Sequence, residues 1–282
     1  MYLIKKPNIL LSCFLIFLFS LVKGQDAQSI TQQMISTVKS MQSLSYTSDL
    51  KERVNGTMKT EKASFKINVS PFNIYMYQYF PKLGAQCLYV TGKNGGKARV
   101  NTNSFPWITL SLLPEGTLML EKRHHSVFDA GFLYTALTLE NLLNKYQNDK
   151  VMTMNGIVKM QGADCYYITF TNPNYRMVNY TTQPNETPQS IAKKINLNFY
   201  SILENNPKLK VIDQIKPGTK LIIPTNYASK MEIYIHKDKF YPVCLRVYDN
   251  KGLYEEYSFF DVLINPQFKE IDFSEDNPNY GF

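Results

Sequence analysis

The sequence predicts an α+β fold, a mainly antiparallel sheet packed on two helices, with a small βααβ unit inserted late in the chain. Three observations carry this prediction. Short runs rich in aromatic and β-branched residues recur between Gly, Asn and Pro turn signals. Two isolated stretches show apolar residues at three- and four-residue spacing. Residues 178–225 then interrupt the last strands with two further helical stretches bounded by short strands.

In chain order, Ile30, Met34, Val38 and Met41 recur among Gln, Ser, Thr and Lys, the pattern of an amphipathic helix with one face to cover. Strands are predicted at 46–54, 59–69, 72–80, 86–91 and 98–102, the spacing of a meander. The run 107–113 is apolar, and Pro114-Glu115-Gly116 turns the chain. Phe132, Leu133, Ala136, Leu137, Leu139, Leu142 and Leu143 predict a second helix over 132–146, with a stripe broad enough for burial along much of its length. Strands resume at 150–160 and 165–171, and again at 231–236, 243–248 and 253–260. The runs on either side of the insertion read as halves of one hairpin, opened at an exposed turn of the kind that tolerates insertion.

Lys5 and Lys6 precede an uncharged run from Ile9 to Val22, followed by Lys23-Gly24, which reads as a secretory signal cut before Gln25. The run is shorter than the roughly twenty apolar residues of a spanning helix. The expectation is therefore an exported chain, in the periplasm or at the cell surface, with no transmembrane anchor after cleavage. Loss of residues 1–24 removes Lys5, Lys6 and Lys23 and no acid, so the formal charge falls from +8 to +5. Residues 178–225 carry +3 of it, from Lys193, Lys194, Lys208, Lys210, Lys216 and Lys220 against Glu186, Glu204 and Asp213. That bias suits anionic cell-wall polymer or lipid headgroups, and the scatter of the lysines argues against nucleic acid as a partner.

Cys87, Cys165 and Cys244 remain after cleavage, an odd count that allows at most one internal bridge. In a meander Cys165 and Cys244 fall on second-neighbour strands, about 10 Å apart, beyond the roughly 7 Å between Cα atoms that a disulfide permits. No bridge between them is expected.

His124-His125 with Glu121 and Asp129 is the cluster that invites a catalytic or metal reading. Adjacent histidines point apart on a strand, no HExxH spacing is present, and no Cys-His or Ser-His pairing is recognisable nearby. The cluster reads as a loop packing on the second helix, so no catalytic residue, metal or cofactor is assigned. Phe72, Ile74 and Met76 alternate with Asn73, Tyr75, Tyr77 and Tyr79, which is the pattern of a strand covered on both faces. Phe72, Ile74 and Met76, with Leu139 of the second helix, are candidates for the wall of an apolar cavity as well as for plain core; the tyrosines are candidates for stacking on a sugar.

Within 178–225, Thr187 stands as N-cap before Pro188, Asn198 can cap the next helix, Asn206-Pro207 stops it, and Pro217-Gly218 leads into Leu221-Ile222-Ile223-Pro224. With Ile191-Ala192, this pattern resembles the LysM family of carbohydrate-binding modules. The opening turn departs from the family, with Asn185, Glu186 and Pro188 in place of glycine, aspartate and leucine; asparagine tolerates the positive φ that such a turn uses. The resemblance implies binding of an N-acetylglucosamine polymer, peptidoglycan in an envelope protein. The sugar would lie between the first turn and the loop after the second helix, with Asn185, Glu186 and Thr187 facing Asn206, Pro207 and Leu209. Short polar groups would bond the acetamide and an apolar floor would accept its methyl.

A second resemblance covers most of the remainder. Pro71-Phe72-Asn73-Ile74-Tyr75, the stretch Gly84 to Gly92, Arg123-His124 with Gly131-Phe132, and the tail Asp272-Phe273 to Asn277-Pro278 with Tyr280 are similar to secreted bacterial proteins whose half-barrel resembles the lipoprotein carriers LolA and LolB. It implies a highly curved sheet around helices, a cavity able to hold acyl chains, a lipid or lipoprotein partner, and no established reaction. The expected organisation is a signal at 1–24, a discontinuous host domain at 25–177 and 226–282, and a LysM module at 178–225. The expected function is non-enzymatic binding in the cell envelope. A cell-wall-acting enzyme with an unrecognised site and a purely structural scaffold are the alternatives.

Overall fold

The computed structural model describes residues 26–147 and 150–282, and the expected signal at 1–24 lies outside them. Asp26 opens the first helix, α1 (Ala27–Ser40), by accepting the Ser29 amide at 2.7 Å, and Ile30, Met34, Ile35 and Val38 form its buried stripe. Six strands follow: β1 (Ser43–Val54), β2 (Thr57–Asn68), β3 (Asn73–Phe80), β4 (Gln86–Val90), β5 (Ala98–Asn101) and β6 (Thr109–Leu112). A single-turn helix α2 (Thr117–Leu120) and the helix α3 (Leu133–Lys145) come next, then β7 (Met152–Met160) and β8 (Ala163–Thr171). The insertion supplies β9 (Met177–Thr181), α4 (Pro188–Ile195), α5 (Phe199–Asn205) and β10 (Lys220–Pro224). The chain finishes with β11 (Lys230–His236), β12 (Pro242–Asp249) and β13 (Gly252–Ile264).

Eleven strands form one antiparallel sheet in the order β6-β5-β4-β3-β2-β1-β13-β12-β11-β8-β7, while β9 and β10 pair separately. The large sheet stays open, with β6 and β7 as its edges. Register shifts interrupt five of its ladders, among them β1–β13 at Ser45/Thr47 and β12–β13 at Val247/Tyr248. Each such irregularity bends the strand and raises its twist, which gives the sheet its curvature. The core lies between sheet and helices, where α1 meets α3 and Phe132, Leu139, Ile168 and Phe170 are buried. Strands β8 and β11 pair directly, Thr171 opposite Lys230, so the insertion does sit in the turn of one hairpin.

Three details differ from the sequence-based expectation. The stripe of α3 is narrower: Ala136, Leu139, Leu142 and Leu143 are buried, but Leu133 and Leu137 are exposed. The apolar run 107–113 holds only a four-residue edge strand, β6, with Trp107, Ile108 and Leu113 left in solvent. The C-terminal tail covers Tyr75 on the tyrosine face of β3, since the Tyr280 ring stacks on it at 3.7 Å and the Gly281 amide donates to Gln86 Oε1 at 3.1 Å, while Tyr79 stays exposed. Tyr75 is therefore buried under the tail and unavailable for stacking on a sugar.

Candidate ligand cavity and inserted module

An apolar cavity of about 450 Å³ lies between the sheet and the segment that runs from Pro114 into α3. Strand alternation aims Tyr46, Ser48 and Leu50 of β1, and Ile74, Met76 and Gln78 of β3, into the same space. Leu110 and Leu112 of β6 extend the apolar wall, and Tyr134 and Thr135 in the first turn of α3 cover it. Strand β3 and helix α3 thus both border the cavity. Lys82 and Leu118 border it too while standing exposed, so the cavity reaches solvent beside them.

Of the four cavity residues predicted from sequence, Ile74 and Met76 line the space, whereas Phe72 and Leu139 are absent from its lining. Phe72 belongs to the turn before β3, where alternation has not begun, and its ring packs against Tyr89 and Phe128 at 6.2 and 5.8 Å. Leu139 lies one turn beyond the residues of α3 that meet the cavity and is fully buried in the core.

Part of the lining is polar: Glu52, Gln78, Arg123, His125, Asp129 and Tyr257. The two histidines do not point apart, because residues 124–125 lie in a bend and both rings reach one carboxylate oxygen, Glu255 Oε1, at 2.8 Å from His124 and 3.2 Å from His125. His124 is fully buried, its other ring nitrogen 2.8 Å from the Arg53 carbonyl, so neither nitrogen is free for a metal. Among the described residues no cluster of His, Cys, Asp and Glu is arranged to hold a metal ion. Tyr227 donates to Glu255 Oε2 at 2.8 Å, and Tyr257 to Glu52 Oε1 at 2.8 Å. Burial opposes charge on His125, but the charge and hydrogen bond of Glu255, with Asp129 and Glu52 nearby, prevail and raise it to about 9. Burial pushes Glu255 up, and the His125 charge with the bonds from both histidines outweighs it, holding the carboxyl well below the usual range. Cys87 also lines the cavity, where burial raises its thiol to about 12 against a small opposing pull from Arg123, leaving a poor nucleophile.

The inserted module joins this network. Asn198 caps α5 by accepting the Tyr200 amide at 2.8 Å, as its position in the sequence implies. Its Nδ2 also donates to Glu255 Oε1 at 3.0 Å and to the His124 carbonyl at 3.2 Å. The Tyr200 ring stacks on His124 at 4.6 Å, and Arg53 of β1 donates from Nε to Glu204 of α5 at 2.9 Å within a nearly buried ion pair. No sequence spacing links Asn198 to Glu255, 57 residues apart, so this junction had no signal in the chain.

Within the module, Asn185 adopts φ 64, the left-handed conformation that its turn requires. Glu186 is buried and accepts from Tyr180 OH at 2.6 Å, the Gln183 amide at 2.8 Å and Lys194 at 3.1 Å. Burial works against its charge, and those three donors still hold its carboxyl below the ordinary value. Thr187 is spent in a reciprocal cap with Ser190 at 3.1 and 2.8 Å. Asn206 clamps α5 to β10, donating to the Ile202 and Ile222 carbonyls at 2.8 Å each and accepting the Ile222 amide at 3.0 Å. Pro207 and Leu209 line a groove of about 750 Å³ of mixed polarity, shared with Asn55, Thr117 and Lys251 outside the module, a groove that Asn185, Glu186, Thr187 and Asn206 do not border.

Two family models match the chain, and they overlap in the module. The LysM domain model matches residues 180–224. No curated protein matches the chain. Solved structures that align over most of the chain include a LolA superfamily protein from Nitrosomonas europaea, at 11% identity and TM-score 0.33 over 90% of this chain and 99% of that one. The Mycobacterium tuberculosis lipoprotein LppX aligns at 12% identity and TM-score 0.39 over 86% and 96%, and a DUF1329 family protein from Desulfovibrio piger at 9% and 0.34 over 89% and 98%. At these scores the likeness adds nothing to what the strand order itself shows. The family described as "Protein of unknown function (DUF1571)" matches residues 42–199 and 205–282, running through most of the module as well as the sheet, and the chain belongs to that family.

Proposed function

We propose that the chain is a non-catalytic protein of the cell envelope whose sheet encloses the acyl chain of a lipid or lipoprotein and whose module holds an N-acetylglucosamine polymer such as peptidoglycan. Export, with residues 1–24 removed, is part of this reading. The observation that carries it is the cavity of about 450 Å³, within the range of small-molecule sites, walled by Ile74, Met76, Leu110 and Leu112 beside a floor of paired polar groups. Each methylene buried there is worth about 0.8 kcal/mol, so a partly enclosed chain is held usefully. The polar floor suits a hydrogen-bonding head at the end of that chain.

The LysM match and the φ of Asn185 support the sugar reading. Glu186, Thr187 and Asn206 then act by shaping the loops, and Pro207 and Leu209 supply the exposed contact. The cavity is tested with a fluorescent fatty acid: the protein binds it, and Val100→Phe or Met76→Phe, which fill the space with apolar bulk, weaken binding about tenfold or more. Equal binding by correctly folded filled variants defeats the lipid reading and favours a structural scaffold.

A further inference from the structure

Two loops beside the cavity expose a cluster of large apolar side chains. Residues 81–85, between β3 and β4, carry Leu83 at 65% exposure; residues 102–108, between β5 and β6, carry Phe105 at 81%, Trp107 at 66% and Ile108 at 53%. Single exposed hydrophobic residues are ordinary, but a cluster on touching loops is not. The loops are held together, since Asn103 Nδ2 donates to the Leu83 carbonyl at 3.1 Å. Gly84 permits this approach: its φ is +83°, and a Cβ there would collide with the Asn103 amide. Phe105 and Trp107 meet edge to face at 5.6 Å, and the Trp107 amide donates to the Ser104 carbonyl at 2.6 Å. The prongs therefore stand on a built loop.

Two further facts select the partner. Lys82 is the sole charged residue in these two loops, so the tip carries a cation and no anion. Lys82, Ala85 and Thr102 also border the apolar cavity, so the same loops hold both the prongs and part of the cavity rim. A protein interface surrounds its apolar centre with a polar rim of both signs; this tip presents aromatic and aliphatic prongs with one lysine, the composition that settles at the boundary between headgroups and acyl chains.

We propose that the tip formed by Leu83, Phe105, Trp107 and Ile108 inserts into the surface of an anionic lipid bilayer, and that the acyl ligand passes between bilayer and cavity beside Lys82. The proposal rests on the reading that the cavity takes an acyl chain. Trp107 is the only tryptophan of the chain, so tryptophan emission, excited selectively beyond the tyrosine absorption, reports on the tip alone. The test uses the chain from Gln25 onward, which holds every described element, with vesicles of phosphatidylglycerol and phosphatidylethanolamine and with vesicles of phosphatidylcholine alone.

The expected result is a blue shift of Trp107 emission and protection from aqueous acrylamide, stronger on the anionic vesicles. Leu83→Ser and Phe105→Ser should each weaken vesicle binding about tenfold or more and leave binding of the free fatty-acid probe unchanged. Emission that stays unshifted at saturating vesicle, or tip variants that bind vesicles as tightly as the parent, overturns the proposal; probe binding that persists in that case leaves the cavity reading intact and assigns the tip to a protein partner. Vesicle binding that depends on the tip while the probe fails to bind supports the bilayer contact and overturns the transfer step.

Discussion

Asn198 in the inserted module donates a hydrogen bond at 3.0 Å to Glu255 in the central part of the large sheet, and neither side chain sees solvent appreciably. The module thereby helps satisfy a buried carboxylate of the sheet, which couples the two. Asn198→Ala removes the α5 cap and one of the donors to Glu255 and is expected to cost about 1–3 kcal/mol. Arg53→Met removes the shared partner of Glu204 and Asp249, leaving Glu204 only its longer contact to Lys251 at 3.5 Å, and is expected to cost about 3 kcal/mol. Urea unfolding followed by both tyrosine fluorescence and far-ultraviolet dichroism should show one transition that shifts as a whole. Two separated transitions in the parent would mean that the module folds independently of the sheet.

The same network predicts how stability depends on pH. His125 faces Glu255 from β13, Asp129 from its own loop and Glu52 from β1, and its value of about 9 lies above the roughly 6.5 of an unfolded histidine. Between those values the folded state keeps a proton that the unfolded state has released, so stability is full below about 6.5 and falls as pH rises toward 9, by roughly 3 kcal/mol. Glu255 acts in the opposite sense, its stabilisation present above the ordinary glutamate value and lost as acid approaches its depressed one. Thermal melts from pH 5 to 10 should therefore decline on the alkaline side, and His125→Asn should flatten that decline. A decline of equal size in the variant would place its origin elsewhere.

Much of the fold was legible because strand alternation and turn residues are local signals: β2, β3, β4 and β12 fall within two residues of their predicted bounds. Helix α5 was legible for the same reason, from Asn198 and Asn206-Pro207. Of the cavity candidates, Ile74 and Met76 border the space because alternation fixes their face, while Phe72 and Leu139 lie outside its lining, where a turn and a helical phase decide direction. What stayed hidden was long-range. Glu255 and Glu52 sit in strands far along the chain from His124 and look like ordinary charges, and no periodicity announces that a strand, a bend and a module helix will meet around them.

The three described cysteines should stay reduced and unreactive in the folded protein. Cys165 on β8 and Cys244 on β12 are separated by β11, and both are buried, as is Cys87. Burial raises Cys165 to about 11 and also raises Cys244, so the reactive thiolate is scarce at neutral pH. Iodoacetamide should label none of the three before denaturant is added, and a non-reducing peptide map should show Cys165 and Cys244 unbridged. A bridge between them would contradict the strand order.

Sugar binding by the module has to be tested by point substitution, because excising residues 178–225 would also remove Asn198, Tyr200 and Glu204 from the junction with the sheet. Pro207 is exposed and Leu209 half-buried on the groove shared with Asn55 and Thr117, so changing them alters the candidate contact without touching Glu255. Retention on purified peptidoglycan is expected to be weak for a single site, and Leu209→Ser combined with Pro207→Ala should abolish it. Asn185→Gly relieves a left-handed asparagine and should keep both retention and fold, whereas Asn185→Val forces a β-branched residue to φ 64 and should cost about 1–2 kcal/mol. Lys193→Ala, in the last turn of α4, serves as a charge control. If the double variant is retained as well as the parent, while the lysine control is not, the module holds the polymer by charge alone and the groove beside Pro207 is not its sugar site.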